Sequence, residues 1–102
     1  MIENKENIHF DVFANLFRGI ESVGGKLKIS DGSLLFTSHA LNIQQGSTEI
    51  IIDQITSIKK RNTLGIVPNG MLITTRDGVE YKFVVWNRQR IIEFINKRLQ
   101  SV

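Results

Sequence analysis

Five basic residues in this sequence are spaced so that they could bind an anionic group. They are Lys26, Lys28, Lys59, Lys60 and Arg61. Ammonium and guanidinium groups attract phosphate, and the backbone N–H groups of the Gly24-Gly25 pair beside Lys26 could face the same anion. The alternative interpretation is that these cations are solvated side chains that only keep the protein soluble.

The charge is distributed unevenly along the chain. The formal net charge is +3, but residues 1–53 contain seven acids and four bases, whereas residues 54–102 contain three acids and nine bases. Such asymmetry can create a face that attracts anions. The second basic cluster precedes a loop with Leu64, Ile66 and Val67. A basic rim around an apolar loop tip suits contact with an anionic membrane, unless the apolar residues pack into the core.

Residue types that support catalysis or metal binding are sparse. The sequence has no cysteine, which excludes a disulfide, a thiolate metal site and a thiol nucleophile. His9 and His39 have no neighbouring ligands at metal-binding spacing. No serine lies in a Gly-x-Ser-x-Gly setting, and Gly24-Gly25-Lys26 lacks the context of a phosphate-binding loop. We therefore expect a protein that is not an enzyme and uses no metal or cofactor, unless a deep pocket surrounds His39.

Length and composition indicate one ordinary globular domain, residues 1–102. The hydrophobic fraction is 41% and the charged fraction 23%, as in soluble domains of this size. No apolar run reaches the ~18 residues that a membrane-spanning helix needs, and the N-terminus lacks a secretion signal. We expect a cytoplasmic protein, peripheral at a membrane if it binds lipid, with residues 1–10 forming a loosely held arm.

Two Asp-Gly pairs between strand-like segments predict two β-hairpins. Asp and Gly tolerate the positive φ angles of a two-residue type I′ turn. Around Asp31-Gly32, that turn pairs Ile29 with Leu34 and Leu27 with Phe36 on one apolar face. Lys26 and Lys28 then point to the opposite, polar face.

The second hairpin, around Asp77-Gly78, is apolar on both faces. A two-residue turn pairs Leu72 with Phe83 and Thr74 with Tyr81. One face then holds Leu72, Tyr81, Phe83 and Val85, and the other holds Met71, Ile73, Val84 and Trp86. This pattern predicts a sheet covered on both sides, in which Trp86 is structural.

The remaining elements complete a mainly β protein. Residues 13–23 favour a strand over a helix, and this strand should end at a Gly24-Gly25 turn. Residues 48–53 and 55–60 should form two strands separated by a bend. Residues 62–70 should form a loop. A helix begins after Asn87, a good N-cap, with an apolar stripe of Ile91, Ile92, Ile95 and Leu99. Seven strands followed by one helix predict a bent antiparallel barrel or sandwich capped by the helix.

Several segments of the chain resemble the GRAM domain, a branch of the pleckstrin-homology superfold. They are residues 25–30 (Gly-Lys-Leu-Lys-Ile-Ser), 34–37 (Leu-Leu-Phe-Thr), 50–60 (a short aliphatic strand, an acid, then Ile-x-x-Ile-x-Lys), 70–78 and 81–83. The resemblance extends from about residue 13 to residue 99. It implies a bent seven-stranded barrel with a C-terminal helix, and a module that binds membrane lipid or protein. It also implies that bases around the first turn grip a phosphorylated headgroup.

These observations favour a binding module for anionic membrane lipid, through the five bases named above. The alternative is a module for protein–protein interaction or self-assembly, using a sheet edge or the C-terminal helix. Nucleic acid is a weaker hypothesis, because exposed aromatic side chains are not expected between the bases.

Overall fold

Seven extended segments and one helix form in the computed structural model, which describes residues 7–39, 47–63 and 67–100. The strands are β1 (Ile8–Arg18), β2 (Glu21–Ser30), β3 (Ser33–Ser38), β4 (Ser47–Ile51), β5 (Ile55–Thr63), β6 (Val67–Thr75) and β7 (Glu80–Val85). A single 3₁₀ turn, Ile52–Gln54, joins β4 to β5, and α1 (Arg88–Gln100) ends the fold. The predicted fold class of seven antiparallel strands with a C-terminal helix is confirmed.

All seven strands belong to one antiparallel sheet with the order β4-β3-β2-β1-β7-β6-β5. It is built from two meanders, β1 to β4 and β5 to β7, which are joined where β1 pairs with β7. We call this junction the seam; its ladder runs from Ala14 opposite Val85 to Phe17 opposite Lys82. The sheet curls into a half-barrel, so that one face is concave and lined by the core, and the other is convex.

The core lies on the concave face and is closed by α1. Its largest fully buried side chains include Phe83, Leu27, Ile29, Leu34, Met71 and Ile73. Ile91, Ile92 and Ile95 of the helix are buried against them, and burying each such side chain stabilises the fold by about 1.5–3 kcal/mol. The helix begins directly after Asn87, as predicted, and the Ile91 N–H donates to the Asn87 carbonyl oxygen at 3.1 Å.

The first hairpin has the predicted register but a different turn. Ile29 lies opposite Leu34, and Leu27 lies opposite Phe36, with all four side chains buried. Among the described glycines, positive φ occurs at Gly19 and Gly78, so Asp31-Gly32 does not form the predicted type I′ turn. The Ser30 hydroxyl donates to the Ser33 carbonyl instead, at 3.3 Å.

The second hairpin differs from its predicted register by one residue. Met71, not Leu72, lies opposite Phe83, and Ile73 lies opposite Tyr81. The Thr75 N–H donates to the Val79 carbonyl and the Gly78 N–H to the Thr75 carbonyl, which defines a three-residue loop. Gly78 has φ 85°, as the last residue of such a loop requires.

This shift changes which side chains the sheet buries. Met71, Ile73, Phe83 and Val85 share the concave face and are at most 1% exposed. The sequence predicted that the second hairpin is covered on both faces and that Trp86 is buried there. This is wrong for Trp86, which is 81% exposed. Leu72, on the convex face, is nonetheless buried between its neighbours on β5 and β7.

The turn between β1 and β2 lies five residues before its predicted position. It is formed by Gly19 and Ile20, with Gly19 at φ 66°. Gly24 and Gly25 lie inside β2. A Cβ atom on Gly25 would collide with the Thr37 carbonyl oxygen of β3, so this glycine permits close approach of two strands rather than a turn.

The other predicted boundaries are partly changed. β1 begins at Ile8, so residues 8–10 belong to the sheet and not to an arm; residues 1–6 lie outside the described residues. The bend at residues 53–54 is confirmed as the 3₁₀ turn. The predicted loop 62–70 shortens, because β5 continues to Thr63 and β6 begins at Val67; Leu64 and Ile66 lie outside the described residues.

Candidate functional site

Lys26 and Lys28 project from the convex face of β2. They lie opposite Thr37 and Leu35 of β3, and the alternating Leu27 and Ile29 are fully buried on the concave face. The Lys26 ammonium lies 3.1 Å from the Asp11 carboxylate. It also lies 4.5 Å from the centroid of the Phe13 ring, a distance at which a cation is attracted to an aromatic face.

A surface cleft of about 350 Å³ opens beside these two lysines. Its lining residues are Asp11, Lys26, Lys28, Thr37, Ser38 and His39. His39 is exposed, and its backbone N–H donates to the Gly24 carbonyl at 3.0 Å. The polar groups that line the cleft are thus two ammonium groups, two hydroxyls, one imidazole and one carboxylate. Such a set favours an anionic ligand.

The basic cluster on β5 is divided between the two faces of the sheet. Lys59 lies opposite Leu72 and Arg61 opposite Gly70, so both face the convex side. Lys60 lies opposite Met71, a fully buried residue of the concave side. Successive side chains of a strand point to opposite faces. The five predicted bases therefore do not form one contiguous group.

Sequence reasoning missed Lys82, which lies on the convex face between β6 and β1. It is opposite Leu72 on one side and Phe17 on the other. Because Leu72 is itself opposite Lys59, Lys59 and Lys82 flank one leucine in a row that crosses three strands. The signal that could have revealed this row is the register of the second hairpin, which differs from the predicted one.

Most convex-face bases have no acidic partner in the described part of the chain. Lys28, Lys59, Arg61 and Lys82 take part in none of the ion pairs found there. The carboxylate of Asp31 is engaged elsewhere: a hydrogen bond from the His9 imidazole is the main cause that lowers the pKa of Asp31. Two acids besides Asp11 lie on this face, Glu49 opposite Leu35 and Glu80 opposite Thr74, so its five bases outnumber its three acids.

No protein-family model matches the chain, and no curated protein matches it in sequence. Among solved structures, it is similar to the C-terminal domain of an unknown protein from Leishmania infantum, with a TM-score of 0.78 and 18% identity over 93% of this chain and 85% of that one. It also matches the N-terminal PH domain of human ARAP2, with a TM-score of 0.72 and 10% identity over 98% and 85% of the two chains. The fold is pleckstrin-homology-like.

Another structure with this PH-like fold is inner membrane complex sub-compartment protein 3 of Toxoplasma gondii. Its TM-score is 0.69 and its identity 14%, over 89% of this chain and 75% of that one. Identities this low establish the shared fold alone. The GRAM branch of the fold is not confirmed by any of these comparisons.

One end of this PH-like domain carries the β1–β2 and β6–β7 turns, and we call it the turn-bearing end. Its charge differs from that of the convex face. A cavity of about 380 Å³ lies at this end between β1, β4 and β7, beside Arg18, Glu80 and Tyr81. Arg18 donates to the Thr48 hydroxyl at 3.5 Å. The charged residues of the β1–β2 and β6–β7 turns and their flanks are Arg18, Glu21, Arg76, Asp77 and Glu80. Acids outnumber bases in this set, so this end favours an anion less than the convex face does.

The described residues contain neither a metal-binding cluster nor a membrane-spanning helix. Among residues 7–39, 47–63 and 67–100, no group of three or more His, Asp or Glu side chains is arranged to hold a metal ion. In the same part of the chain, no helix is long and apolar enough to cross a membrane.

Proposed function

We propose that this chain is a non-enzymatic binding module that associates with anionic membrane lipid headgroups through the convex face of its sheet. The observation that carries the proposal is the set of four convex-face bases without an acidic partner among the described residues: Lys28, Lys59, Arg61 and Lys82. Each basic residue near an anionic leaflet contributes about 1 kcal/mol. Four of them give weak, salt-sensitive binding of a peripheral protein.

The cleft beside Lys26 and Lys28 is the part of this face that suits a single headgroup. Its volume of about 350 Å³ lies at the lower end of the range for small-ligand sites. Lys28 is free to bind a phosphate, while Lys26 would exchange its Asp11 partner for the lipid. The resemblance to GRAM domains implies that bases grip a headgroup at the first turn, but that turn lies at Gly19 and Ile20, and Lys26 and Lys28 lie within β2. A place in the GRAM branch is part of the proposal, with the headgroup bound in the convex-face cleft instead.

The alternative function is association with another protein through a sheet edge. β4 pairs with β3 alone, and Ile51 at its end is 43% exposed, so β4 could accept a further strand. The C-terminal helix is less suited to this role, since Ile91, Ile92 and Ile95 are already buried in the core.

Co-sedimentation with vesicles tests the lipid proposal. We expect binding to vesicles of phosphatidylcholine mixed with phosphatidylserine at low salt, and loss of binding at high salt or without phosphatidylserine. Absence of binding to the anionic vesicles at low salt would contradict the proposal. A concentration-dependent oligomer in light scattering would favour the sheet-edge alternative.

Neighbouring residues on β5 provide a matched pair of variants. Lys59→Glu reverses a convex-face charge and should weaken vesicle binding about tenfold or more, since it changes the local charge by two units. Lys60→Glu makes the same charge change one residue away on the other face, and should weaken binding less. Equal losses in the two variants would indicate a response to net charge rather than to this face.

A further inference from the structure

Two large aromatic side chains are exposed at the helix end of the seam. Trp86 is 81% exposed and Phe13 is 65% exposed. The last pair of the seam ladder is Ala14 opposite Val85, both buried. Phe13 precedes Ala14 on the convex side of β1, and Trp86 directly follows Val85 beyond the end of β7, so the two aromatics adjoin the same ladder pair. Exposed aromatic residues grouped in this way mark an interaction surface.

Phe13 lies beside a base that is itself paired with an acid, because the Lys26 ammonium is 3.1 Å from the Asp11 carboxylate. Lys26 lies over the Phe13 ring at 4.5 Å, and the His39 ring lies 5.8 Å from it. Both Lys26 and His39 also line the convex-face cleft. On the other side of the seam, the row of Arg61, Gly70 and Val84 reaches β1 at Asn15, two residues from Phe13. Lys26 is therefore the base in contact with Phe13, and Arg61 lies farther away, three strands from β1.

We propose that Phe13 and Trp86 form an interfacial anchor that enters the headgroup layer of an anionic bilayer. This inference rests on the proposed function and adds an orientation to it: the seam faces the membrane and the turn-bearing end does not. Indole and phenyl rings partition into the layer between water and hydrocarbon, while flanking bases contact the lipid phosphates. The convex face, on which Phe13 lies, has more bases than acids, and this charge is complementary to an anionic leaflet.

The single tryptophan of the chain makes the anchor directly observable. Because Trp86 is largely exposed to water, its fluorescence emission should shift to shorter wavelength when anionic vesicles are added to the full chain. Phospholipid carrying bromine on its acyl chains should quench that emission. Neither change should occur with phosphatidylcholine vesicles alone.

A pair of variants tests the position of the anchor. Trp86→Ala should reduce co-sedimentation with anionic vesicles by about fivefold or more. Ile20→Ala removes an equally accessible apolar side chain, 97% exposed in the β1–β2 turn, and should leave vesicle binding unchanged. Circular dichroism of both variants checks that the fold is retained, as expected for exposed positions.

The outcomes separate this inference from the proposed function. Co-sedimentation without an emission shift would overturn the anchor and leave lipid binding in place. No co-sedimentation at low salt would overturn both. An emission shift that grows with protein concentration in the absence of vesicles would assign the aromatic pair to contact between copies of the chain, and would overturn the anchor.

Discussion

Arg98 in the last turn of α1 lies with its Nη2 atom 2.7 Å from the Asp31 carboxylate of the β2–β3 turn. The same carboxylate oxygen accepts a hydrogen bond from His9 Nε2, also at 2.7 Å. Phe94 lies beside both partners, with the His9 ring centroid at 4.7 Å and the Arg98 guanidinium at 4.6 Å. One carboxylate thus connects the start of β1, the first hairpin and the end of the helix.

This connection predicts that the fold loses stability in acid. The hydrogen bond from His9 lowers the pKa of Asp31 below its ordinary value of 3.8. A carboxyl group whose pKa is lowered in the folded state contributes stability above its unfolded pKa, and that contribution is lost as the pH falls through the folded value. We expect Asp31→Asn to lower the urea midpoint slightly at neutral pH, with the difference from wild type shrinking as the pH falls below 3.8 and vanishing only below the lowered pKa of Asp31 in the folded state.

A series of urea titrations between neutral and strongly acidic pH measures this effect. Asp53→Asn is the control, since no ion pair involves Asp53 among the described residues; it removes a carboxylate that is not part of this connection. A difference for Asp31→Asn that persists unchanged in strong acid would show that the carboxylate charge is not responsible.

The two adjacent glycines of β2 should respond very differently to alanine. A Cβ atom on Gly25 would meet the Thr37 carbonyl and the Phe36 ring, whereas the nearest atom to a Cβ on Gly24 is Asn15 Nδ2 at 3.8 Å. Gly25→Ala should destabilise the fold by about 3 kcal/mol or prevent folding. Gly24→Ala should change the free energy of unfolding by less than about 0.5 kcal/mol. Urea denaturation measures both, and similar values for the pair would refute the close approach of β2 and β3.

The second hairpin depends on one left-handed residue. Gly78 has φ 85°, and a Cβ atom added there would have no atom within 4 Å, so a side chain would be strained by backbone conformation and not by collision. Gly78→Ala should cost about 1–2 kcal/mol, and Gly78→Asn less, because asparagine tolerates this region. Thermal unfolding of the two variants provides the comparison; equal stability of Gly78→Ala and wild type would contradict the three-residue loop.

Two neighbouring leucines of β3 test the assignment of the faces. Leu34 is fully buried and Leu35 is 36% exposed. Leu34→Ala should destabilise the protein by about 2–5 kcal/mol through lost burial and a residual cavity. Leu35→Ala should cost less than about 1 kcal/mol. If the order were reversed in urea denaturation, the register of the first hairpin would have to shift by one residue.

The sequence predicted those parts of the fold where one strand face is apolar and the other is not. In the first hairpin, only one register buries Leu27 and Ile29 against Leu34 and Phe36, so the pairing followed from the pattern. In the second hairpin, both faces are apolar, and the pattern could not separate two registers that differ by one residue. The three-residue loop is stabilised by a hydrogen bond from the Thr75 hydroxyl to the Asp77 carboxylate. Hydrophobic periodicity does not reveal such a bond.

The candidate site was only partly predictable for a related reason. Lys59, Lys60 and Arg61 are contiguous in sequence, but a strand separates neighbours onto opposite faces. Lys82 is 21 residues or more from each of them and joins Lys59 only through the register of three strands. Trp86 appeared structural because its segment alternates like a core strand, and its exposure follows from the sheet ending at Val85.

The seam also has a consequence for the order in which this protein folds. Each meander is built from strands that are neighbours in sequence. The ladder between β1 and β7, by contrast, has four residue pairs whose members are about 70 residues apart in sequence. Closing so long a loop has an entropic cost that is recovered only after both meanders are in place. We expect the two meanders to gain amide protection in hydrogen exchange before the seam does, so that the hydrogen bonds between β1 and β7 are among the last in the sheet to form.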